Sequence, residues 1–160
     1  MIKITTELLD EVTRKALQSP RKRMNYNFHP ELSDPVQRLL NALEPCTYIR
    51  PHRHAGKEES FVILRGSALA VVFNDDGSIR DHFILNHAGG NLGVEFEENC
   101  YHMLTALEPH SVVYEIKEGP FIPHTEDTSA PWAPAEGTPE AMDFLAGVFG
   151  QLGINLPVKN

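Results

Sequence analysis

Seven short apolar segments follow one another in the middle of the chain, and turn-forming residues separate them. Segments of this length and spacing predict short strands, and a series of such strands predicts a β-sandwich or a small β-barrel. Asp76-Gly77, between two of the segments, predicts a tight hairpin. The predicted strands span residues 47–54, 60–64, 68–74, 79–85, 93–96, 102–107 and 111–117.

Helical patterns flank this β-rich part of the chain. Residues 6–19 place their apolar side chains on one helical face, and Pro20 ends the pattern. Residues 21–29 alternate and predict a strand with one buried face. Asp34-Pro35 matches a helix cap followed by proline, and the spacing after it predicts a second helix over residues 36–43. Thr138-Pro139 predicts the start of a last helix in the same way.

These elements predict one structural domain in three parts. Residues 1–44 supply N-terminal helices and a leading strand, and residues 45–118 supply a β-barrel core. Residues 119–160 supply a proline-rich segment that wraps the surface and the C-terminal helix, with Trp132 as an anchor against the barrel.

Composition restricts the classes of protein and partner. A chain of 160 residues with 41% hydrophobic residues predicts a soluble globular protein. The formal net charge of −8 argues against nucleic acid as the main partner, because phosphate binding requires clustered lysine and arginine. The short run Arg21-Lys22-Arg23 is compatible with a local anion site, for example for a phosphorylated ligand.

The expected location is the cytoplasm. No apolar segment is long enough to cross a bilayer, and the N-terminus lacks the pattern of a signal peptide. Two cysteines, Cys46 and Cys100, do not make a disulfide framework. We therefore expect reduced thiols and no membrane partner.

Histidine and glutamate residues in the predicted strands form a pattern of metal ligands. His52 and His54 lie two residues apart on one predicted strand, so their side chains point the same way. Glu59 begins the next predicted strand, and His102 lies on a later one. Imidazole and carboxylate groups in this arrangement can enclose one metal ion.

We therefore predict that these four residues bind one divalent transition metal ion. Three imidazoles and a carboxylate suit Fe, Mn, Ni, Cu or Zn. Zn would be satisfied by four protein ligands, whereas Fe, Mn or Ni would keep room for substrate or water. The alternative is that they are ordinary surface histidines and glutamate, which are usually exposed when unpaired.

Other polar residues are candidates for the surroundings of the metal. Tyr48 and Arg50 share the parity of His52, so a regular strand would place them in the same cavity. There Tyr48 would act as a proton donor or hydrogen-bond anchor, and Arg50 would clamp a carboxylate or phosphate. The alternative is that Pro51 introduces a bulge and turns both side chains outward.

The polar face of the predicted strand over residues 21–29 leaves two alternatives open. Its side chains either face water, as the polar face of a strand normally does, or line the cavity and orient a small ligand. The residues of this face are Arg23, Asn25, Asn27 and His29. Four further histidines lie beside turns, and we expect most of them to face solvent: His82, His87, His110 and His124.

At the metal-ligand pattern the sequence resembles the cupin superfamily, whose first motif is glycine, H-x-H, three or four residues, E, six residues and G. The segment His52-x-His54-(x4)-Glu59-(x6)-Gly66 matches from the first histidine onward, and the leading glycine is absent. Glu58 competes with Glu59 for the carboxylate position, and the six-residue gap to Gly66 favours Glu59.

The second cupin motif, P-x-G-x-x-H-x-x-x-N, is kept in part. His102 matches its histidine, but Glu97, Asn99 and Ala106 stand where proline, glycine and asparagine are usual. Asparagine tolerates the left-handed backbone conformation that glycine would supply. The absence of the last asparagine predicts weaker support around the metal and not the loss of a ligand.

A resemblance that runs over more of the chain is to the WbuC family of cupin-fold metalloproteins, associated with bacterial O-antigen gene clusters. Residues 19–29, 34–43, 48–54, 106–109 and 130–137 carry it. It implies a mainly β fold, the cupin double-stranded β-helix (jelly-roll barrel) with flanking N-terminal and C-terminal helices, and a bound metal. It implies no established reaction. Because cupins often pair through strands, a homodimer is the family-level expectation.

Three functional hypotheses follow. The first is an enzyme acting on a small polar metabolite, such as a nucleotide sugar or sugar of surface-polysaccharide assembly, as an isomerase or epimerase, or as an Fe(II) dioxygenase. The second is a non-catalytic module that uses the metal to bind a small ligand. The third is a structural metal that only braces the barrel.

Overall fold

Strands make up most of the molecule, and helices lie near both ends of the chain. The computed structural model describes residues 1–123 and 128–157. Its elements, in chain order, are α1 (Thr6–Gln18), β1 (Arg23–Asn27), β2 (Val36–Leu43), β3 (Glu59–Arg65), β4 (Ser67–Phe73), β5 (Ile79–Asn86), β6 (Gly93–Phe96), β7 (Tyr101–Ala106), β8 (Ser111–Glu118) and α2 (Pro139–Leu152).

The strands form two antiparallel sheets. One sheet has the order β1-β2-β8-β3-β6 and the other the order β5-β4-β7. The segment before β3 extends the second sheet, because Pro45 bridges to Ala106 and His52 bridges to His102 on β7. Without the extra edge strand β1, the first sheet keeps four strands, and the second has three strands with this irregular segment beside β7; the chain therefore has the Greek-key strand order of a jelly roll. The predicted mainly β jelly-roll fold is confirmed.

The space between the two sheets is filled by apolar side chains from both. Phe61 and Ile63 of β3, Leu104 of β7 and Leu85 of β5 are buried together there. Side chains point alternately to the inward and the outward face along each strand. Polar groups therefore reach this core only where an inward position carries a polar residue.

Helix α1 covers the outer face of the five-stranded sheet. Leu9, Val12 and Ala16 pack against Leu40 and Ala42 of β2. Thr5 caps the helix, since its hydroxyl accepts a hydrogen bond from the Leu8 amide at 3.4 Å. The predicted helix over residues 6–19 is thus present and ends one residue earlier, at Gln18.

Helix α2 covers the outer face of the three-stranded sheet. Its buried residues Leu145, Val148 and Phe149 pack against a cluster that includes Leu69 and Met103. Thr138 occupies the N-cap position and Pro139 begins the helix, as predicted. The Trp132 ring lies 5.1 Å from the ring of Phe73, centroid to centroid, in the same cluster.

The predicted helix over residues 36–43 is wrong. These residues form β2, which pairs antiparallel with both β1 and β8. Residues 37 and 39–43 are all buried, since α1 covers one face of β2 and the barrel interior covers the other. A strand buried on both faces shows a continuous apolar run in place of alternation, and such a run is easily taken for a helical face.

The predicted hairpin is present, whereas the predicted strand over residues 47–54 is not regular. The hairpin at Asp76-Gly77 joins β4 to β5, and Gly77 adopts a positive φ of 88°. The predicted strand over residues 47–54 is not a regular strand, because its β-bridge to β7 is an isolated one at His52. No helix in the described part of the chain is long and apolar enough to cross a membrane.

Candidate metal centre

The four predicted metal ligands meet at one point inside the barrel. His52, His54, Glu59 and His102 each offer a ligand atom, and these atoms all lie within 4.8 Å of one another. Glu59 and His102 are almost fully buried, with 2% and 3% of their surface exposed. Glu58, the competing carboxylate, is exposed. We call His52, His54, Glu59 and His102 the candidate metal centre.

Strand pairing brings the histidines together. His52 and His102 form an antiparallel bridge, in which each backbone amide donates to the carbonyl of the other residue, at 3.1 and 2.9 Å. Directly paired residues present their side chains on the same face, and the two imidazole rings are 4.6 Å apart, centroid to centroid. Glu59 approaches from the opposite sheet as the first residue of β3.

Backbone carbonyls orient two of the three imidazoles. The Nδ1 atom of His52 lies 3.0 Å from the Arg50 carbonyl oxygen, and Nδ1 of His102 lies 3.0 Å from that of Cys100. A ring whose Nδ1–H donates to a carbonyl presents a lone pair at Nε2, which is the state a metal requires. The Phe96 ring, stacked at 4.3 Å, fixes the plane of His102.

The carboxylate of Glu59 joins this arrangement through one oxygen. Its Oε2 lies 2.9 Å from Nε2 of His102 and 3.3 Å from Nε2 of His54. Burial alone would raise the pKa of Glu59, but Lys117 and the two histidines outweigh it and hold that pKa well below its usual value. Burial alone would lower the pKa of His102, but its hydrogen bonds to Cys100 and Glu59 raise that pKa to about 9.

A buried polar chain continues from Glu59 away from the histidines. Lys117 Nζ lies 3.1 Å from Oε1 of Glu59 and 2.8 Å from Oε1 of Glu115. The Asn41 side-chain amide donates to Oε2 of Glu115 at 3.1 Å. Burial raises the pKa of Glu115 to about 7, a rise that Lys117 opposes and the nearby Glu59 carboxylate supports.

The candidate metal centre opens onto a cavity of about 430 Å³. Three of its residues, His52, Glu59 and His102, form part of the cavity wall. Apolar side chains, including Phe61 and Leu104, line the inner part. A cavity of this size is in the range of small-molecule sites, which combine apolar walls with a few polar groups.

The cavity is rich in basic groups although the whole chain carries a formal charge of −8. Its wall includes four basic side chains, Arg21, Arg23, Arg50 and Lys117, and three carboxylates, those of Glu59, Glu115 and Glu136. With neutral histidines this leaves a formal charge of +1, and a divalent metal ion would raise it to +3. Such a site favours an anionic ligand.

Intramolecular contacts hold the basic groups of the rim in place. Arg23 forms a two-oxygen ion pair with Glu136 and also donates to the Tyr48 carbonyl. Arg50 donates to the Ala130 carbonyl at 3.1 Å. The segment that contains Glu136 and Ala130 therefore closes one side of the cavity, where the sequence predicts a wrap over the barrel.

The structure brings only some of the predicted ligand-binding residues to the cavity. Arg23, Asn25 and Arg50 line it. Asn27 is exposed, because it lies further along the edge strand β1, and His29 lies beyond β1, buried with its Nδ1 atom accepting from the Arg38 amide at 3.0 Å. Neither of these two side chains lines the cavity.

Tyr48 also lies outside the cavity. Its hydroxyl donates to the Pro134 carbonyl at 2.9 Å, and its ring packs against Phe144 of α2. Ile49 lines the cavity in its place. Residues 47–51 form no regular strand, so the alternation of a strand does not extend to Tyr48, although Arg50 and His52, which have the same parity, both line the cavity.

The cupin-motif positions explain local turns. Asn99 has a φ of 62°, the left-handed conformation predicted for it. Gly66 has a φ of 75°, and a Cβ there would lie 3.0 Å from the Ser111 Cα atom. His82, His87 and His110 are exposed, and His124 lies outside the described residues.

The residues of the cavity wall that the sequence does not identify include Asn41, Glu115, Lys117 and Glu136. Glu115 and Lys117 carry a signal, since they are charged residues that share one face of β8 with the buried residues Ser111 and Val113. Asn41 lies in the segment predicted as a helix, so its face could not be assigned. Glu136 reaches the cavity through the long wrap, which has no periodicity.

The donor set fits a transition metal ion. Nitrogen and oxygen donors converge, two imidazoles are held by Nδ1 bonds, and the carboxylate is buried. The Glu59 oxygen and the histidine nitrogens are near enough to bond one another, as donors around a small ion would be. These residues could therefore hold one metal ion; the donor set is compatible with several metals.

Comparison with known proteins adds the following. The model of a family described as a domain of unknown function, DUF6016, matches residues 4–85, just over half of the chain. No curated protein matches the sequence. Among solved structures, TT1209 from Thermus thermophilus is 16% identical, with a TM-score of 0.52 over 73% of this chain and 97% of that one. At this identity the likeness concerns the fold alone.

Two further structures are similar at lower scores. A cupin superfamily protein from Desulfitobacterium hafniense is 14% identical, with a TM-score of 0.48 over 60% of this chain and 76% of that one. KdgF from Halomonas sp. is 15% identical, with a TM-score of 0.47 over 68% of this chain and 86% of that one.

Proposed function

The chain belongs to the DUF6016 family, and from this premise and the geometry of the candidate metal centre we propose that it is a metal-binding cupin that holds a small anionic metabolite beside the metal. One observation carries the proposal: His52, Glu59 and His102 belong both to the metal centre and to the wall of the 430 Å³ cavity. A metal that only braced the barrel would need no such opening.

The metal ion and the basic side chains would each contribute to binding of the ligand. A bound divalent ion would polarise a carbonyl or hydroxyl group of the ligand, or lower the pKa of a bound water. Arg50 and Arg21 supply positive charge on the cavity wall, and Arg50 is held by the Ala130 carbonyl. Phe61 and Leu104 exclude water from the inner wall, which strengthens the interactions with charged groups.

The chemical identity of the ligand is a further part of the proposal. The resemblance to the WbuC family favours a sugar or nucleotide sugar of surface-polysaccharide assembly, in the bacterial cytoplasm, and isomerase or epimerase chemistry. That part rests on the sequence resemblance alone. The anionic character of the ligand rests on the charges of the cavity wall.

Calorimetric titration of the chelator-treated protein with Zn²⁺, Mn²⁺ and, without oxygen, Fe²⁺ tests the metal site. We expect one ion per chain, and we expect His102→Ala to weaken binding at least ~100-fold, since loss of an outer partner alone costs ~10–100-fold. His82→Ala, which removes an exposed histidine of β5, is the matched control. Equal binding by the two variants would refute the metal site.

The Mn²⁺-loaded protein then tests the ligand class. Water-proton relaxation is followed during addition of inorganic phosphate, oxalate or neutral glucose. We expect the two anions to displace metal-bound water at lower concentrations than glucose does. A preference for glucose would refute the anionic ligand and leave the metal site standing.

A further inference from the structure

We propose that Lys117 is a positioning residue that holds one oxygen of Glu59 away from the metal and so keeps a coordination position open for the ligand. The inference rests on the proposed function, because it concerns the same metal. The observation behind it is that the two oxygens of Glu59 have different partners.

The two oxygens of Glu59 are divided between two sets of groups. Oε2 faces Nε2 of His102 at 2.9 Å and Nε2 of His54 at 3.3 Å, so it lies among the metal donors. Oε1 faces Lys117 Nζ at 3.1 Å. A carboxylate can bind a metal through one oxygen or through both, and an ammonium group on one oxygen favours the first mode.

Strand pairing fixes the position of Lys117. Glu59 at the start of β3 is the direct cross-strand partner of Lys117 on β8. Directly opposed residues present their side chains on the same face, and opposite charges in such a pair attract. Only 14% of the Lys117 side chain is exposed, so little water competes for its ammonium group.

A second carboxylate keeps the ammonium group in place. Glu115, two residues before Lys117 on the same face of β8, lies 2.8 Å from Nζ. The Asn41 amide in turn donates to the other oxygen of Glu115 at 3.1 Å. The lysine is thus held from both sides, which a lysine that only neutralised Glu59 would not require.

The binding mode of Glu59 determines how many coordination positions of the metal ion the protein would occupy. Three imidazoles and one carboxylate oxygen make four protein donors, and a second carboxylate oxygen would occupy a further position. Because the cavity meets the metal centre at His52, Glu59 and His102, a second bond to Glu59 would take up space on the side from which a ligand arrives. Lys117 prevents that bond.

The test uses Co²⁺-loaded protein and imidazole as an added ligand. Imidazole is added at a pH of about 8.5, where it is largely neutral because the pKa of the imidazole group is about 6.5. The loss of the charge at position 117 therefore does not by itself change its affinity. For Lys117→Met we expect one Co²⁺ per chain, an altered visible absorption spectrum, and imidazole binding at least ten-fold weaker than in the unmodified protein. Lys117→Arg, which keeps the positive donor, is expected to restore most of the imidazole affinity.

Lys57→Met is the matched control. Lys57 lies three residues after His54 and donates to the Pro120 carbonyl at 2.8 Å, so its removal deletes the same charge without affecting Glu59. We expect the unmodified spectrum and imidazole affinity. Because burial of Glu115 without its partner can impair folding, Lys117→Gln is made in parallel, and its imidazole affinity is expected to change in the same direction.

The outcomes separate this inference from the proposed function. Unmodified imidazole affinity in folded Lys117→Met and Lys117→Gln proteins would overturn the role of Lys117 and leave the metal site intact. Complete loss of Co²⁺ from both folded variants would overturn it too, because Lys117 would then be needed for binding itself. Absence of Co²⁺ from the unmodified protein would overturn the proposed function and this inference together.

Discussion

At the scale of single residues, the candidate metal centre depends on which atom of each side chain stays available. His52 and His102 bond to carbonyls through Nδ1 and keep Nε2 for the ion. Glu59 divides its oxygens between the histidines and Lys117. For these three residues, the neighbouring hydrogen bonds therefore determine which side-chain atom faces the position of the ion.

The carboxylate pair Glu58 and Glu59 gives a direct test at this scale. Glu59→Gln is expected to weaken metal binding at least ~100-fold, because the amide bears no charge and a change of an outer partner alone costs ~10–100-fold. Glu58→Gln is expected to leave binding unchanged, since Glu58 is exposed. Metal affinity is measured by competition with a chelator dye. The reverse order of effects would assign the ligand to Glu58.

Tyr48 gives a second test, because one of its two predicted positions was the cavity, whereas its hydroxyl donates a hydrogen bond to the Pro134 carbonyl. Tyr48→Phe is expected to lower the free energy of unfolding by about 0.5–1.5 kcal/mol, the usual contribution of a hydrogen bond. Metal affinity and phosphate affinity are expected to stay at their unmodified values. Urea unfolding and the titrations described above measure both. A large loss of phosphate affinity would place Tyr48 at the ligand.

At the scale of elements, β2 and β8 decide the chemistry of the cavity. Both strands are covered by α1 on one side and face the barrel interior on the other. Each carries polar residues at inward positions, Asn41 on β2 and Glu115 and Lys117 on β8. These polar residues share the inward faces of the two strands with apolar ones, since Asn41 is paired with Val113 and Leu43 follows two residues after Asn41.

Helix α2 offers a matched pair of glycines for a stability test. Gly147 lies in the helix interior, where a Cβ would meet nothing within 4 Å. Gly147→Ala is expected to raise the free energy of unfolding by about 0.5–1 kcal/mol, because alanine loses less backbone entropy in a helix.

Gly153 is the contrasting position, since it ends α2 with a φ of 64°. Gly153→Ala is expected to cost about 1–2 kcal/mol, because L-residues are strained in the left-handed region. Thermal and urea unfolding of the two variants measure the difference. Equal effects of the two substitutions would contradict the helix end at Leu152.

At the scale of the whole molecule, the metal would connect the two sheets. Glu59 belongs to the five-stranded sheet, and His102 with its bridging partner His52 belongs to the other. An ion held by both sheets therefore binds only the folded barrel, and such binding stabilises the folded state by mass action.

Metal removal is accordingly expected to lower the melting temperature. At free metal 100-fold above Kd, the stabilisation should be about 2.7 kcal/mol. Calorimetric melting with and without chelator measures it. The His102→Ala protein, which lacks one of the candidate ligands, is expected to show a much smaller change in melting temperature on addition of chelator. A chelator effect of equal size in this variant would place the metal elsewhere.

The amino-acid sequence by itself determined the class of fold and the four residues of the candidate metal centre. Short apolar segments with turns between them are a local signal, and they identify β4, β5, β7 and β8 nearly to the residue. The spacing of His52, His54 and Glu59 is also local, since it lies within eight residues. Helices α1 and α2 carry their own caps and apolar faces.

Only the tertiary structure decided that residues 36–43 form the strand β2, where Tyr48 lies, and which residue contacts Glu59 on the side away from the histidines. A strand covered on both faces loses the alternation that would identify it. Residues 47–51 form no regular strand, so the equal parity of Tyr48 and His52 does not bring both side chains to the cavity. Lys117 and Glu59 are far apart in sequence and meet because β3 pairs with β8. Pairing between distant strands is a property of the folded barrel, and no local pattern records it.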